Sequence, residues 1–498
     1  MTIYLNNDFH YETENLVRLF FPNDKITVVK ELPDEKPLPL ISALISDEGS
    51  EKKIFVSVET EGRFLVDERS VSIHTQDLQK TLERTLAVLL YGLLVTLTGR
   101  KQPWGILTGV RPIKLFRRLA ESQGEAFAKD YFRTQLLVSD EKTELSALTE
   151  KHEKKVLMLS RPSSFSLYVS IPFCPSRCSY CSFVSQTIEN AKKLIEPYLE
   201  LLCQELIATA QIAKECELRL ESVYIGGGTP TTLSALQLSK LIDTIRSHFD
   251  MSTCREFTVE AGRPDTINEE KLLAILKGGA DRISINPQTL SNAVLEVIGR
   301  RHTAEETIDT FELARKIGFR HINMDLIAGL PTDTPESFVQ TLDKICDLSP
   351  ESITVHTLSM KRSSKLTMQG RELDTVKESP AAAMLRYCEK KLTQTGYHPY
   401  YLYRQTRMEG NLENVGWSKD GFDGIYNIFV MDETHTILGC GAGAVSKLKK
   451  PASESLERIF NYKYPYEYIK DFDELLRRKE RVKAFYAELA EYISQICL

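Results

Sequence analysis

The sequence predicts an α/β protein: a partial parallel (β/α)6 barrel with an N-terminal α/β domain and a C-terminal α+β domain. Three observations predict it. Between residues 166 and 360, short β-rich apolar runs alternate with amphipathic helical patterns, the mark of parallel strands joined by helical crossovers. The unit repeats six times, short of the eight-stranded closed form. On either side the alternation is lost. The reading divides the 498 residues into an N-terminal domain 1–160, a barrel 161–362 and a C-terminal domain 363–498.

In the first domain, β-rich runs fall at Lys25–Val29, Leu38–Ile45, Lys53–Val58 and Arg63–Ile73, followed by a helix over about Gln76–Thr98. A second helical stretch, Ser139–Leu159, carries Glu144, Glu150, Lys151 and Glu153 and reads as a solvated helix or connector. Pro162-Ser163-Ser164 marks the boundary. The barrel strands are Leu167–Ile171, Ser222–Ile225, Glu256–Glu260, Arg282–Ile285, His321–Leu326 and Ser352–Leu358. Helices between them fall at about Ala191–Ala213, Ala235–Phe249, Glu269–Lys277, Ala304–Ile317 and Glu336–Asp347. Beyond residue 361, Ala381–Thr393 is helical, and Ile425–Val430 with Thr436–Leu438 form a hairpin around Asp432-Glu433-Thr434. Tyr466–Lys479 and Arg481–Ile496 are two last helices.

Composition narrows the function classes. Hydrophobic residues at 42% and charged residues at 27% exclude wholesale disorder. A net charge of −6 argues against a broad basic face for nucleic acid. The uncharged stretch Thr85–Gly99 is too short for a membrane span and reads as a buried helix. Met1–Asp8 has no basic region or small-residue cleavage site, so the expectation is a cytoplasmic chain with reduced thiols.

Of ten cysteines, Cys174, Cys178 and Cys181 form a C-x3-C-x2-C loop directly after the first barrel strand. Active residues of parallel barrels sit at the carboxyl ends of strands. Thiolates are the usual ligands of iron–sulfur clusters, and three of them leave one iron of four open. The competing readings are zinc or three unrelated buried cysteines. Structural zinc wants four closed ligands, and His152 lies across the boundary. After the second strand comes Gly226-Gly227-Gly228-Thr229-Pro230, whose glycines let backbone approach a ligand closely. Glu260 closes the third strand, where a carboxylate can accept hydrogen bonds from hydroxyls or an ammonium.

These motifs resemble the radical S-adenosylmethionine enzymes over roughly residues 168–446, and within them the oxygen-independent coproporphyrinogen III oxidases and their relatives. The resemblance implies a [4Fe-4S] cluster on Cys174, Cys178 and Cys181. It implies S-adenosyl-L-methionine contacts from Tyr168, Tyr180, Gly227, Gly228, Thr229, Glu260, Gln288, Arg300 and Asp325, and a contact to a second such molecule from Val445. The implied reaction is oxidative decarboxylation of two propionates of a porphyrinogen to vinyls, with an electron donor and acceptor that the residues do not identify. No residue is assigned a catalytic role. Lys361, Arg362, Arg404 and Arg407 are candidate cations for the propionates, and the aromatic run Tyr397–Tyr403 a candidate wall for the macrocycle. The segment Trp104–Pro112 resembles the branch with an added N-terminal domain, and reads as a turn packing two domains together.

Two positions depart from the best-known oxidases: Phe183 stands where they carry a further Cys, and Ser170 where they carry a substrate-handling His. A sister branch of haem-trafficking proteins also lacks that Cys and carries an H-N-x-x-Y-W haem motif. Here the comparable stretch, Gly410–Trp417, lacks both the His and the Tyr before the Trp.

Overall fold

The computed structural model describes every residue except 184, 362–363, 369–371, 374–378, 452 and 497–498, and only the backbone of 491–496. Arg362 and Cys497 therefore lie outside the described residues. The chain forms two compact units: residues 1–150 with 370–382 and 402–413, and residues 151–369 with 383–401 and 414–498.

The first unit is built on a five-stranded sheet, ordered Thr27–Val29, Thr2–Leu5, Leu40–Glu48, Glu51–Thr60, Arg63–Ser72. Its first three strands run parallel, and the last two extend it as antiparallel neighbours. The helix Leu78–Thr98 buries Leu82, Leu86, Leu89, Leu90, Leu93 and Leu94 in one core with Ile54, Val56 and Val58 of the sheet. At 21 residues it is longer than its uncharged stretch, and by length and composition alone it could cross a membrane. The expected shortness is thus corrected, while its apolar face is spent on the sheet.

The charged helix Asp140–Leu157 is not solvated as expected. Lys142, Ser146, Thr149 and Glu150 are buried on it. The cause is a buried polar knot: Glu413 takes the Lys142 ammonium at 2.6 Å on one carboxylate oxygen and the Trp104 indole N–H at 2.8 Å on the other. The Arg404 guanidinium lies 5.5 Å over the Trp104 ring. Trp104 is thus a core residue of this unit. Gly105 beside it is required: its φ is +53°, and a Cβ there would collide with the Leu136 and Leu137 backbone.

The second unit holds the six barrel strands: Ser164–Ile171, Arg219–Gly227, Glu256–Gly262, Arg282–Ile285, His321–Ala328 and Ser352–Thr357. They are neighbours in that order and all parallel. Each predicted apolar run falls in its own strand, because strands covered on both faces are nearly continuously hydrophobic. Thr436–Cys440 adds in parallel beside the first strand, and Asn414–Ser418 adds antiparallel beside the sixth. Helices start at strong caps. Ser234 and Gln237 form a capping box at Ala235–His248, and Thr303 with Glu306 does the same at Ala304–Ile317. Ser234→Ala is expected to cost ~1 kcal/mol in a urea-unfolding comparison.

One predicted strand is wrong. Ile425–Asp432 is a helix, so no hairpin surrounds Asp432-Glu433-Thr434. A short run that is apolar on all sides suits a buried strand and a buried helix equally, and tertiary contacts decide. Here the backbone N–H groups of Ile425 and Tyr426 donate to the Glu256 carboxylate at 2.7 and 3.2 Å. Arg282 joins Glu256 at 3.4 Å, and also Ser352 Oγ and the Tyr400 hydroxyl at 3.2 Å each. Glu256, Arg282 and Ser352 each open their strand, so this network sits at the amino ends of the barrel. The last two helices divide at Asp471 rather than near residue 480, as Pro465–Lys470 and Phe472–Ile496.

Candidate active site

The first barrel strand runs into the cysteine loop at the carboxyl end of the barrel. Phe173–Cys174 pairs with Gln186–Thr187, closing the loop at its base. Backbone bonds hold it inside: the Ser179 N–H donates to the Ile298 carbonyl at 3.0 Å, and the Cys181 N–H to that of Cys178 at 3.2 Å. The nine described cysteines are all free thiols, and Cys178 is buried. Burial pushes the Cys181 thiol up to about 11, with Cys178 and Cys174 adding to it. Bound iron would displace that proton.

Gly226–Gly228 lies directly under the loop. The Gly228 N–H donates to the Ile171 carbonyl at 2.7 Å, and the Thr229 N–H to that of Phe173 at 2.8 Å. A Cβ at Gly228 would meet the Phe173 oxygen at 2.6 Å and Cys174 Sγ at 3.0 Å, so only glycine fits. The Thr229 hydroxyl reaches Cys174 Sγ at 3.6 Å.

The other predicted residues come from the third to fifth barrel strands and the segments that follow them. Glu260 accepts the Tyr224 hydroxyl; Tyr224 belongs to a trio of near-parallel rings, 6.3 Å from Tyr168 and 4.4 Å from Tyr426, with those two 6.3 Å apart. Burial pushes Glu260 up to about 7, the Tyr224 bond opposing and Asp325 adding. Gln288 is non-glycine yet has φ +70°, held by its own N–H to the Asp325 carbonyl at 2.9 Å and by the Ile327 N–H at 3.0 Å. Its side-chain oxygen is buried without a hydrogen-bond partner. Asp325 accepts from Asn323 Nδ2 at 2.7 Å. Arg300 donates to the Tyr180 hydroxyl at 2.9 Å and to the Asn286 carbonyl at 3.1 Å. Val445 opens a strand that pairs with Leu456–Phe460, its backbone against Gly439, the register partner of Tyr168.

A pH test follows from Glu260. Its folded pKa of about 7 lies above the ordinary 4.5, so the folded chain holds the extra proton between those values. Stability contributed at this site is therefore present at low pH and lost as pH rises through about 7. The gap in urea midpoint between wild type and Glu260→Gln, in the chain without nucleotide, is expected to move against wild type over that window. A gap independent of pH would contradict this.

Sequence reasoning missed Arg263. It is buried, forks onto Asp265 at 3.0 and 3.1 Å, donates to Ser176 Oγ at 2.8 Å, and approaches Cys178 Sγ at 4.0 Å. It follows the third strand directly, so scrutiny continued past Glu260 would have found it. Of the proposed substrate cations, Arg404 is committed to the Leu107 and Asn411 carbonyls at 2.6 and 3.2 Å, and burial pushes it down to about 10. Arg407 is exposed, and Lys361 is half-buried. Tyr397 and Tyr400 are core residues bonded to the Pro350 carbonyl and Arg282, which removes them from any macrocycle wall. The cations beside the cysteine loop are others: Arg177, Arg300, Arg301 and Lys365 line a cleft of about 410 Å³ that also includes Glu189 and Glu296.

The donor set fits an iron–sulfur cluster with nucleotide: three clustered thiols, a cradle closed to any Cβ, and an orphaned buried amide oxygen. The sequence profile described as Radical SAM superfamily matches residues 168–345. The oxygen-independent coproporphyrinogen-III oxidase-like protein HemZ of Bacillus subtilis is 36% identical over 495 residues, 98% of this chain and 96% of that protein. The heme chaperone HemW of Bacillus subtilis is 34% identical over 264 residues, 52% of this chain and 68% of that protein. Among solved structures, coproporphyrinogen III oxidase (HemN) from Escherichia coli matches with a TM-score of 0.49 and 25% identity, covering 64% of this chain and 71% of that one.

Proposed function

The chain belongs to the radical SAM superfamily, and from that premise we propose that it is an oxidoreductase that converts two propionates of coproporphyrinogen III to vinyls, giving protoporphyrinogen IX. The observation that carries the reading is the Cys174–Cys181 loop seated on the Gly226–Gly228 cradle at the barrel mouth. Cluster and S-adenosylmethionine together would supply a 5′-deoxyadenosyl radical there. Cys174, Cys178 and Cys181 would hold the cluster. Gly227, Gly228, Thr229, Gln288 and Glu260 would orient the nucleotide through backbone and carboxylate contacts. Tyr168, Tyr180, Arg300 and Asp325 would add further contacts to it, with Arg300 holding the Tyr180 hydroxyl at 2.9 Å. In each half of the reaction a hydrogen atom leaves the propionate β-carbon, carbon dioxide departs, and one electron passes to an external acceptor. Arg177, Arg301 and Lys365 beside the loop suit anionic propionates. Val445 is proposed for a second nucleotide.

A second reading, haem binding and delivery, is favoured by one observation. Ser170 occupies the substrate-handling position, and its hydroxyl is already spent on the Ala442 carbonyl at 2.8 Å. Anaerobic reconstitution with iron and sulfide, followed by assay with coproporphyrinogen III, tests both. Formation of 5′-deoxyadenosine that depends on the porphyrinogen, together with vinyl products, is expected. A stable haem adduct without vinyl products would replace the first reading by the second.

A further inference from the structure

We propose that His152, His398 and Asp423 bind one zinc-type divalent cation at the amino end of the barrel. The candidate ligand atoms of these three residues all lie within 4.8 Å of one another. A tetrahedral ion with bonds of about 2.0–2.1 Å places its ligand atoms about 3.3 Å apart, so binding would turn the two rings out of their stack until their nitrogens converge on it. The two imidazoles stack with centroids 3.6 Å apart and planes at 16°, and His398 Nε2 already lies 2.8 Å from Asp423 Oδ1. The ion would replace the proton shared by that pair.

Two neutral imidazoles and a carboxylate are the donor set zinc prefers. The Ser418 hydroxyl donates to Asp423 and would fix the carboxylate's orientation. Asp420, exposed on the same loop, has an oxygen 3.4 Å from His398 Nδ1, on the far side of the ring, and would hold that imidazole by its second nitrogen while water fills the fourth position. Ser418 pairs with Ser352, the first residue of the sixth barrel strand. The site therefore lies at the opposite end of the barrel from the cysteine loop. Residues at that end of a parallel barrel serve stability rather than chemistry. The ion would tie the end of the helix Asp140–Leu157 to the strand His398–Tyr403 and to the loop after Asn414–Ser418.

The test uses the full chain with Cys174, Cys178 and Cys181 replaced by serine, which removes the competing thiols. Cobalt(II) added to it is expected to bind one equivalent, giving visible d–d absorption without a thiolate charge-transfer band, and zinc is expected to displace it. His152→Gln and Asp423→Asn are each expected to weaken cobalt binding by about tenfold or more. X-ray absorption at the zinc edge of the otherwise unsubstituted triple-serine chain needs neither variant, and is expected to show imidazole nitrogen and carboxylate oxygen around the metal. No saturable uptake up to about 1 mM cobalt, uptake indifferent to both substitutions, or sulfur in the zinc shell would each overturn the proposal. None of these readouts depends on radical chemistry, so the assignment stands or falls apart from the proposed reaction.

Discussion

Cys178→Ala is expected to lower S-adenosylmethionine cleavage by about 10³-fold or more, equivalent to about 4 kcal/mol in barrier, while the chain stays folded. The fold is indifferent to this thiol because the loop is carried by backbone. Ser179, Cys181 and Leu366 make main-chain hydrogen bonds that the substitution leaves alone. Arg263 keeps its fork on Asp265 and its bonds to Ser176. What is lost is one of the three proposed cluster thiols, the one that the buried Arg263 guanidinium approaches at 4.0 Å. Iron and sulfide content and the spin signal after dithionite should fall together with 5′-deoxyadenosine formation, with circular dichroism and urea midpoint close to wild type. Full cleavage activity in this variant would refute the three-thiolate site.

Glu205→Ala is expected to destabilise the chain by about 3–5 kcal/mol. Glu205 is fully buried in the helix Ile188–Glu215. One of its oxygens accepts the Gly441 N–H at 2.7 Å and the Tyr468 hydroxyl at 2.6 Å. The other accepts Asn461 Nδ2 at 2.7 Å and faces the Lys479 ammonium at 2.9 Å. Removing it strands a buried cation and frees the backbone at Gly441. Breaking one member of a buried pair costs more than replacing both. Glu205→Ala with Lys479→Met should therefore recover part of the loss, read as a shift in urea midpoint. A double variant less stable than Glu205→Ala would contradict the account.

The barrel was legible because its determinants are local. Each apolar run carries its own strand, and Ser234, Thr303 and Asn268 announce helix starts with side chains that cap them. The cysteine loop and glycine run were legible for the same reason: each is a contiguous stretch of sequence. What escaped depends on distant partners. Lys142 looks like a surface charge until Glu413, 271 residues away, is placed beside it. The run Ile425–Val430 favours a strand until the Glu256 carboxylate caps it as a helix. Tyr400 looks free to flank a ligand until Arg282 claims its hydroxyl. His152, His398 and Asp423 share no spacing at all, and only folding brings them together.

The helix Ile425–Asp432 reaches beyond its own packing. Its Tyr426 ring lies against Tyr224, whose hydroxyl donates to Glu260, so one helix joins the Glu256–Arg282 pair at the strand starts to the Glu260 carboxylate further along the third strand. Loosening that helix would therefore be felt at the Glu260 carboxylate, through the aromatic ring that connects the two ends.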